Sequence, residues 1–276
     1  MPGKLWLVGT PIGNLEDITA RAKRVLAQAD VIAAEDTRRT GRLLQALGIE
    51  RHGRLVSFFE GNEARRVGEL LERVRAGDSV AVVTDGGMPG VSDPGYRLVA
   101  ACVEEGIEVD VAPGPSSAIA ALVISGLPTD RWVFEGFLPR SGRARAERLD
   151  ALSKERRTAV LFESPHRIAA TLEDLSKAGG DRRVVVVREL TKLHQEILRG
   201  TVADVLSLTR ERELKGEVAI IVEGARRSKP DLQEAVRIAA HLVGEGAKKR
   251  EAARQASART RVPAGQIYGA LTDEAR

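Results

Sequence analysis

The chain has 276 residues, 43% of them hydrophobic and 30% charged, enough for two soluble domains with separate cores. Lys and Arg outnumber Asp and Glu by 43 to 39, which suggests a polyanionic partner, while an aromatic share of 3% argues against RNA contacts dominated by base stacking. The single Cys102 excludes an intramolecular disulfide and a cysteine zinc cluster; no apolar run is long enough for a membrane span, and no signal sequence opens the chain, so a cytoplasmic location is expected.

The first half alternates strands and helices. Strands are expected at Lys4–Val8, Val31–Ala34, Leu55–Phe58, Ser79–Val83 and Ile107–Val111, with helices at Asp17–Ala29, Thr40–Leu47 and Glu63–Arg75 and another after Gly95. That β-α order argues for a mostly parallel sheet covered on both faces. The pattern breaks at Gly126-Leu127-Pro128-Thr129-Asp130, where a domain boundary is placed. Beyond it, strands at Trp132–Phe137, Thr158–Phe162, Val184–Arg188, Gln195–Arg199 and Glu217–Val222 alternate less regularly with helices near Arg143–Ser153, Ile168–Ser176 and Val202–Thr209. An α+β domain with some antiparallel pairing is expected there. After Gly224 only helices are expected, at Leu232–Val243, Lys248–Ala258 and Gly265–Leu271. Their tight turn and the basic cluster of Lys248, Lys249, Arg250, Arg254, Arg259 and Arg261 read equally well as a helix-turn-helix docking on nucleic acid or as a solvated face. The expected organisation is therefore residues 1–126, 127–227 and 228–276: two α/β domains flanking a cleft, then a small helical domain.

The loops at strand ends carry the chemistry. The stretch from Thr84 to Gly95, with Asp85, Gly86, Gly87, Met88 and Asp93, leaves a buried strand and can bring bare backbone against a ligand. The first strand ends in Gly9-Thr10-Pro11-Ile12-Gly13-Asn14, which is neither a dinucleotide fingerprint nor a Walker A loop. Glu35-Asp36-Thr37-Arg38-Arg39-Thr40 gathers both charges at a strand end, and helix capping explains only part of it. Pro113-Gly114-Pro115-Ser116-Ser117 opens a helix whose free N–H groups suit a polar ligand, although Ser116 also reads as a plain N-cap. Glu163-Ser164-Pro165-His166-Arg167 and Arg188-Glu189-Leu190-Thr191-Lys192 repeat the pattern, and Gly216-Glu217 leads into the last strand. The histidines, His52, His166, His194 and His241, have no ligand spacing, so no metal centre is expected, and no Gly-x-Ser-x-Gly elbow occurs. Group transfer by positioning is the chemistry left.

In this order, the Thr10-Pro11-Ile12-Gly13-Asn14-Leu15, Glu35-Asp36-Thr37-Arg38, Ser92-Asp93-Pro94-Gly95, Pro113-Gly114-Pro115-Ser116, Gly136-Phe137-Leu138-Pro139, Glu163-Ser164-Pro165-His166-Arg167 and Arg188-Glu189-Leu190-Thr191-Lys192 segments resemble the tetrapyrrole methylase-like superfamily of S-adenosylmethionine-dependent methyltransferases. Within it they are similar to the branch that methylates a cytidine ribose 2′-hydroxyl in the decoding region of small-subunit ribosomal RNA. One departure stands out: Asp85-Gly86-Gly87-Met88-Pro89 replaces the family's usual Asp-Ala-Gly-Thr-Pro, and Met88 removes a hydroxyl. The resemblance implies S-adenosylmethionine held by Pro11, Asp85, Gly86, Gly87, Met88, Ser116, Ser117, Phe162 and Ala219. It offers Glu163, Glu189, Lys192, Asp93 and His166 as candidate catalytic groups, unranked. Arg38, Arg39, Arg140, Arg143 and Arg167 are candidate phosphate contacts, with Lys248, Lys249 and Arg250 on the tail. It also implies a homodimer, with rRNA or the assembled small subunit as partner and no membrane.

Two rival functions remain open on the residues alone. A tetrapyrrole precursor or diphthine could be the methyl acceptor, since acidic tetrapyrroles would also suit a basic cleft. A non-catalytic ribosome assembly factor could bind RNA through the terminal helices alone.

Overall fold

The computed structural model describes residues 3–51, 53–211, 214–226 and 231–273. Its contacts part into two compact units, Met1–Ala225 and Arg226–Arg276. Both expected α/β domains lie within the first unit; the helical tail is the second.

The first sheet is built from β1 (Lys4–Val8), β2 (Val31–Ala34), β3 (Leu55–Ser57), β4 (Ser79–Val83) and β5 (Val109–Ala112), interleaved with α1 (Ala20–Gln28), α2 (Thr37–Ala46), α3 (Glu63–Arg75) and α4 (Tyr96–Glu104). Its order is β3-β2-β4-β1-β5 and every pair is parallel. The unbroken apolar strands reflect double-sided burial. Ile32, Ala34, Ala81 and Val83 pack with Val25 and Leu26 of α1, while Val31, Ala33, Val80 and Val82 face Leu70 and Val74 of α3 and Leu98 of α4. From β1 the chain crosses to β2, and from the adjacent β4 it crosses the other way to β5. The carboxyl ends of β1 and β4 therefore border a topological switch point, where such sheets open a crevice.

Caps set the helix limits that periodicity misplaced. Helix α1 begins at Ala20 because the Thr19 hydroxyl accepts from Ala22 N, and Leu15–Asp17 forms a separate 3-10 turn. Helix α2 begins earlier than expected, at Thr37, because the Asp36 carboxylate accepts from the N–H groups of Arg38 and Arg39.

After α5 (Ser117–Ser125), the second sheet comprises β6 (Trp132–Phe137), β7 (Thr158–Glu163), β8 (Arg183–Arg188), β9 (Glu196–Thr201) and β10 (Val218–Val222). Its order is β6-β7-β10-β8-β9; β6 pairs with β7 in parallel and the remaining pairs are antiparallel. Helices α6 (Gly142–Lys154), α7 (Ile168–Gly179) and α8 (Val202–Arg210) cover one face. Helix α5 covers the other, where Ala118, Ala121 and Leu122 pack on Val160, Val185, Val187 and Ile221. A helix from the first half of the sequence thus shares a core with the second sheet, which is why contacts do not part at residue 126.

In the second unit, α9 (Leu232–Gly244), α10 (Lys249–Thr260) and α11 (Ala264–Asp273) enclose a core of Ala235, Ala239, Ala252, Ala253, Ala256, Ile267 and Leu271. The alanines let α9 and α10 approach closely. Arg261, with φ +62°, ends α10 and turns the chain into α11. No described helix is long and apolar enough to cross a membrane.

Candidate active site

A cavity of about 590 Å³ lies within the first unit, lined by both sheets' strand-end loops. From the first sheet come Pro11, Ile12, Gly13 and Leu15 after β1, Glu35 and Arg39 after β2, Asp85–Met88 and Val91–Asp93 after β4, and Ser116 and Ser117 at the start of α5. The second sheet contributes a row of side chains in register. Phe137 of β6 is opposite Phe162 of β7, Phe162 is opposite Ala219 of β10, and Ala219 is opposite Val187 of β8. Opposed residues share a face, so these four form one apolar wall. The Phe162 ring meets Phe134 edge-on at 5.0 Å and lies 5.7 Å from Phe137, tilted.

The other walls are polar and acid-rich. Glu35, Asp85, Asp93, Glu163 and Glu217 line the cavity against only Arg39 and Lys192 among the cations. The basic cleft that would draw an acidic tetrapyrrole is therefore absent from the described lining; the surplus charge is negative. The β4 loop is held to β1 by a two-way bridge, Thr10 N to Gly87 O at 2.9 Å and Gly87 N to Thr10 O at 3.0 Å. Gly87 has φ +93°, a conformation a side chain would strain. Asp85 accepts from Asp36 N at 3.2 Å and pairs with Arg39 at 3.1 Å, while Asp85 N donates to Glu35 at 3.1 Å. Burial, chiefly, raises the Glu35 pKa above the ordinary glutamate value, and the Asp85 charge adds to it.

Asp93 sits half-buried on a tight turn. Gly90 N donates to Pro94 O at 3.1 Å, and Gly95 N donates to the buried Glu63 carboxylate at 3.0 Å. Ser92 beside it has φ +61°, a strained value of the kind found at functional sites. Burial first, then the charges of Glu35, Asp85 and Glu217, push the Asp93 pKa up to about 7. A carboxylate poised there can accept a proton near neutrality.

Lys192 lies on the loop after β8, where Glu189 (φ +51°) and Thr191 (φ +65°) are both left-handed. Its Nζ donates to Glu189 at 2.9 Å and to Glu217 at 3.1 Å. Burial opposes its charge, but the hydrogen bonds and charges of Glu189 and Glu217 prevail and raise its pKa. Lys192 is thus a fixed cation, not a base. A Cβ on Gly13 would overlap the Lys192 stem, so the β1 and β8 loops touch there.

Glu163, 3% exposed, is tied into the second sheet's interior. It accepts from Ser164 N at 2.8 Å and from the Thr171 hydroxyl at 2.7 Å, and Arg167 stands 3.5 Å away. Arg145, also buried, donates to Thr171 at 3.0 Å, to Asp174 at 2.9 Å and to Pro139 O at 3.0 Å.

All nine residues expected at the cofactor line the cavity: Pro11, Asp85, Gly86, Gly87, Met88, Ser116, Ser117, Phe162 and Ala219. Of the catalytic candidates, Asp93, Glu163 and Lys192 line it. Glu189 stands behind Lys192, and His166 is exposed outside the lining. Of the expected phosphate contacts, Arg39 lines the cavity, whereas Arg38, Arg140 and Arg143 are exposed outside the lining. Arg38 pairs with Asp36, whose own pKa falls to about 2, first through that side-chain hydrogen bond. Arg167 directs its guanidinium to Leu138 O and Pro139 O, both at 3.2 Å, and so serves the backbone. On the helical unit Lys248 and Arg250 are exposed, and Lys249 donates to Leu271 O at 3.2 Å. No group of three or more His, Cys, Asp or Glu among the described residues is placed to hold a metal ion, and His52 lies outside them.

Phe137, Glu217, Glu63 and Arg145 were not among the residues expected at the site. Glu217 succeeds a glycine at a strand start, a legible signal, but the other three become relevant only when distant segments meet.

The family model for tetrapyrrole (corrin/porphyrin) methylases matches residues 4–206. A protein of Thermotoga maritima named ribosomal RNA small subunit methyltransferase I is 50% identical over 80% of this chain and 99% of its own length. One of the same name from Synechocystis is 44% identical over 96% of both chains. Among solved structures, uroporphyrin-III C-methyltransferase of Thermus thermophilus, complexed with S-adenosyl homocysteine, superposes with a TM-score of 0.57 at 23% identity, covering 80% of this chain and 97% of that one.

Proposed function

Because the chain belongs to the tetrapyrrole methylases, and within them to the ribosomal RNA small subunit methyltransferase I family, we propose that it methylates the ribose 2′-hydroxyl of a cytidine in the decoding region of small-subunit rRNA. The methyl donor is S-adenosylmethionine, which when bound supplies an electrophilic methyl on a sulfonium. The cavity's chemistry fits it. Its surplus of carboxylates suits a cationic donor, the start of α5 at Ser116 and Ser117 suits a carboxylate, and Phe162, Ala219 and Val187 suit an adenine ring.

The observation that carries the reading is the cavity itself, which gathers all nine residues expected at the cofactor on the walls that the half-buried Asp93 carboxylate also lines. In the proposed reaction Asp93 takes the 2′-hydroxyl proton as the oxygen bonds to the methyl carbon and the carbon–sulfur bond breaks. Lys192, held by Glu189 and Glu217, orients the sugar-phosphate, and Glu163 stiffens the second-sheet wall. Most of the rate comes from alignment. Arg38, Arg140 and Arg143, exposed outside the lining, and Lys248, Lys249 and Arg250 of the helical unit remain proposed backbone contacts, as does Arg39 on the cavity wall.

The relatives' names support rRNA over a tetrapyrrole precursor as substrate. The deciding experiment offers labelled S-adenosylmethionine with unmodified small subunits, naked rRNA and a tetrapyrrole precursor in parallel. Label on a cytidine ribose is expected; label on a base, or in the tetrapyrrole alone, overturns the reading. In the same series Asp85→Ala weakens cofactor binding in calorimetry by about tenfold or more, the scale of a lost charged hydrogen bond.

We propose, from the family resemblance, that the protein is a homodimer. Sedimentation of the intact protein as a monomer at micromolar concentration would remove that proposal.

A further inference from the structure

Phe137 is 56% exposed and yet lines the cavity, at the outer end of the apolar row. It stands on β6, the edge strand, beyond Phe162 and away from Ala219 and Val187 at the centre. The residue before it reaches the β4 loop: a Cβ on Gly136 would lie 3.2 Å from the Ser92 hydroxyl. Phe137, Ser92 and Asp93 all line the same cavity.

The backbone just beyond Phe137 is fixed. Leu138 O accepts from Arg167 at 3.2 Å, and Pro139 O accepts from Arg167 at 3.2 Å and from Arg145 at 3.0 Å. Arg145 is itself held by Thr171 and Asp174. Two guanidinium groups thus pin two successive carbonyls, and an exposed aromatic ring is presented with little freedom left to lose on binding.

We propose that Phe137 is the stacking platform for the base of the target nucleotide, on the wall of the cavity that Asp93 also lines, so that a stacked base turns its own ribose hydroxyl toward that carboxylate. The proposal rests on the reading that a nucleotide ribose is methylated. It also resolves a tension with composition: one aromatic at the reacting nucleotide suffices even where few occur elsewhere. The pinning arginines act as positioning residues, through Phe137, and not on substrate.

The test uses the full-length protein and its Phe137→Ala, Phe137→Leu and Phe137→Trp variants. Rates of labelled methyl transfer are measured across concentrations of unmodified small subunits, with S-adenosylmethionine affinity and melting temperature measured beside them. Alanine and leucine should lower kcat/KM for subunits roughly five- to hundredfold, the range found when a base loses its aromatic partner, with cofactor affinity unchanged to within about twofold. Tryptophan should restore most of the loss. Unchanged kcat/KM in Phe137→Ala, leucine performing as well as phenylalanine, or an equal fall in cofactor affinity each overturns the platform. Wild-type protein that labels no subunit overturns the ribose reading and the platform together, and is distinguished by failing before any variant is compared.

Discussion

Replacing Asp93 with asparagine is expected to lower kcat for methyl transfer by about 10²–10⁴, the usual worth of a positioned general base. Asparagine keeps the size and the turn, so cofactor affinity should change little. The pH dependence supplies the sharper readout. Burial and the neighbouring Glu35, Asp85 and Glu217 charges favour the protonated acid, so in the free protein the base forms only as pH rises through about 7. The kcat/KM profile should therefore climb on its acid side up to that value and then level, and Asp93→Asn should abolish the limb. A bound cation beside the carboxylate favours its charged form, so the limb in kcat should lie at lower pH than the limb in kcat/KM. Stability runs the other way. A folded pKa above the unfolded carboxylate value means the folded state holds the proton more tightly, so stability falls as pH rises from about 4 to about 7. Asp93→Asn removes that loss and should melt higher than wild type at pH 8. A variant with wild-type kcat, or with an unchanged acid limb, would eliminate Asp93 as the base.

The second large effect separates two glycines that look alike in sequence. Gly9, at the end of β1, crosses Gly114 so closely that an added Cβ would meet Gly114 Cα and N at 2.6 Å and Met88 Sδ at 2.7 Å. The thioether could swing away; the backbone of Gly114 could not. Gly9→Ala must push the β1 and β5 ends apart, and the Thr10–Gly87 bridge that shapes the cavity moves with them. Overpacking of this kind costs about 3 kcal/mol, and the melting temperature should fall by about 6–12 °C. S-adenosylmethionine affinity should fall with it. Gly68, by contrast, is an exposed residue inside α3 with nothing within 4 Å of an added Cβ. Gly68→Ala should stabilise by about 0.5–1 kcal/mol through helix propensity alone. Thermal unfolding of the two variants checks both signs, and equal shifts would refute the crossing as the cause.

Much of this molecule was legible from its residues. The limits of β1, β2, β4 and α3 matched the expected ones because buried parallel strands and an amphipathic helix announce themselves within a few residues. The glycine- and serine-rich strand ends also declared themselves, and the nine residues expected at the cofactor all reached one cavity. Each of those signals is local: a run of apolar side chains, a cap, a turn that only glycine can make. Fold class, helix-capped loops and the family were therefore determined by the sequence itself.

The tertiary structure decided what those loops become together. Asp93 is an ordinary aspartate in sequence; its pKa rises because the fold first buries it and then brings the charges of Glu35, Asp85 and Glu217, drawn from both sheets, toward it. Glu163 and Arg167 read as a candidate base and a phosphate contact, yet the fold commits both to the Thr171–Arg145 network and the Leu138 and Pro139 carbonyls. The surplus of bases in the whole chain gave no hint that the cavity lining would be acidic. Electrostatics and burial sum over neighbours distant in sequence, and no local pattern encodes that sum.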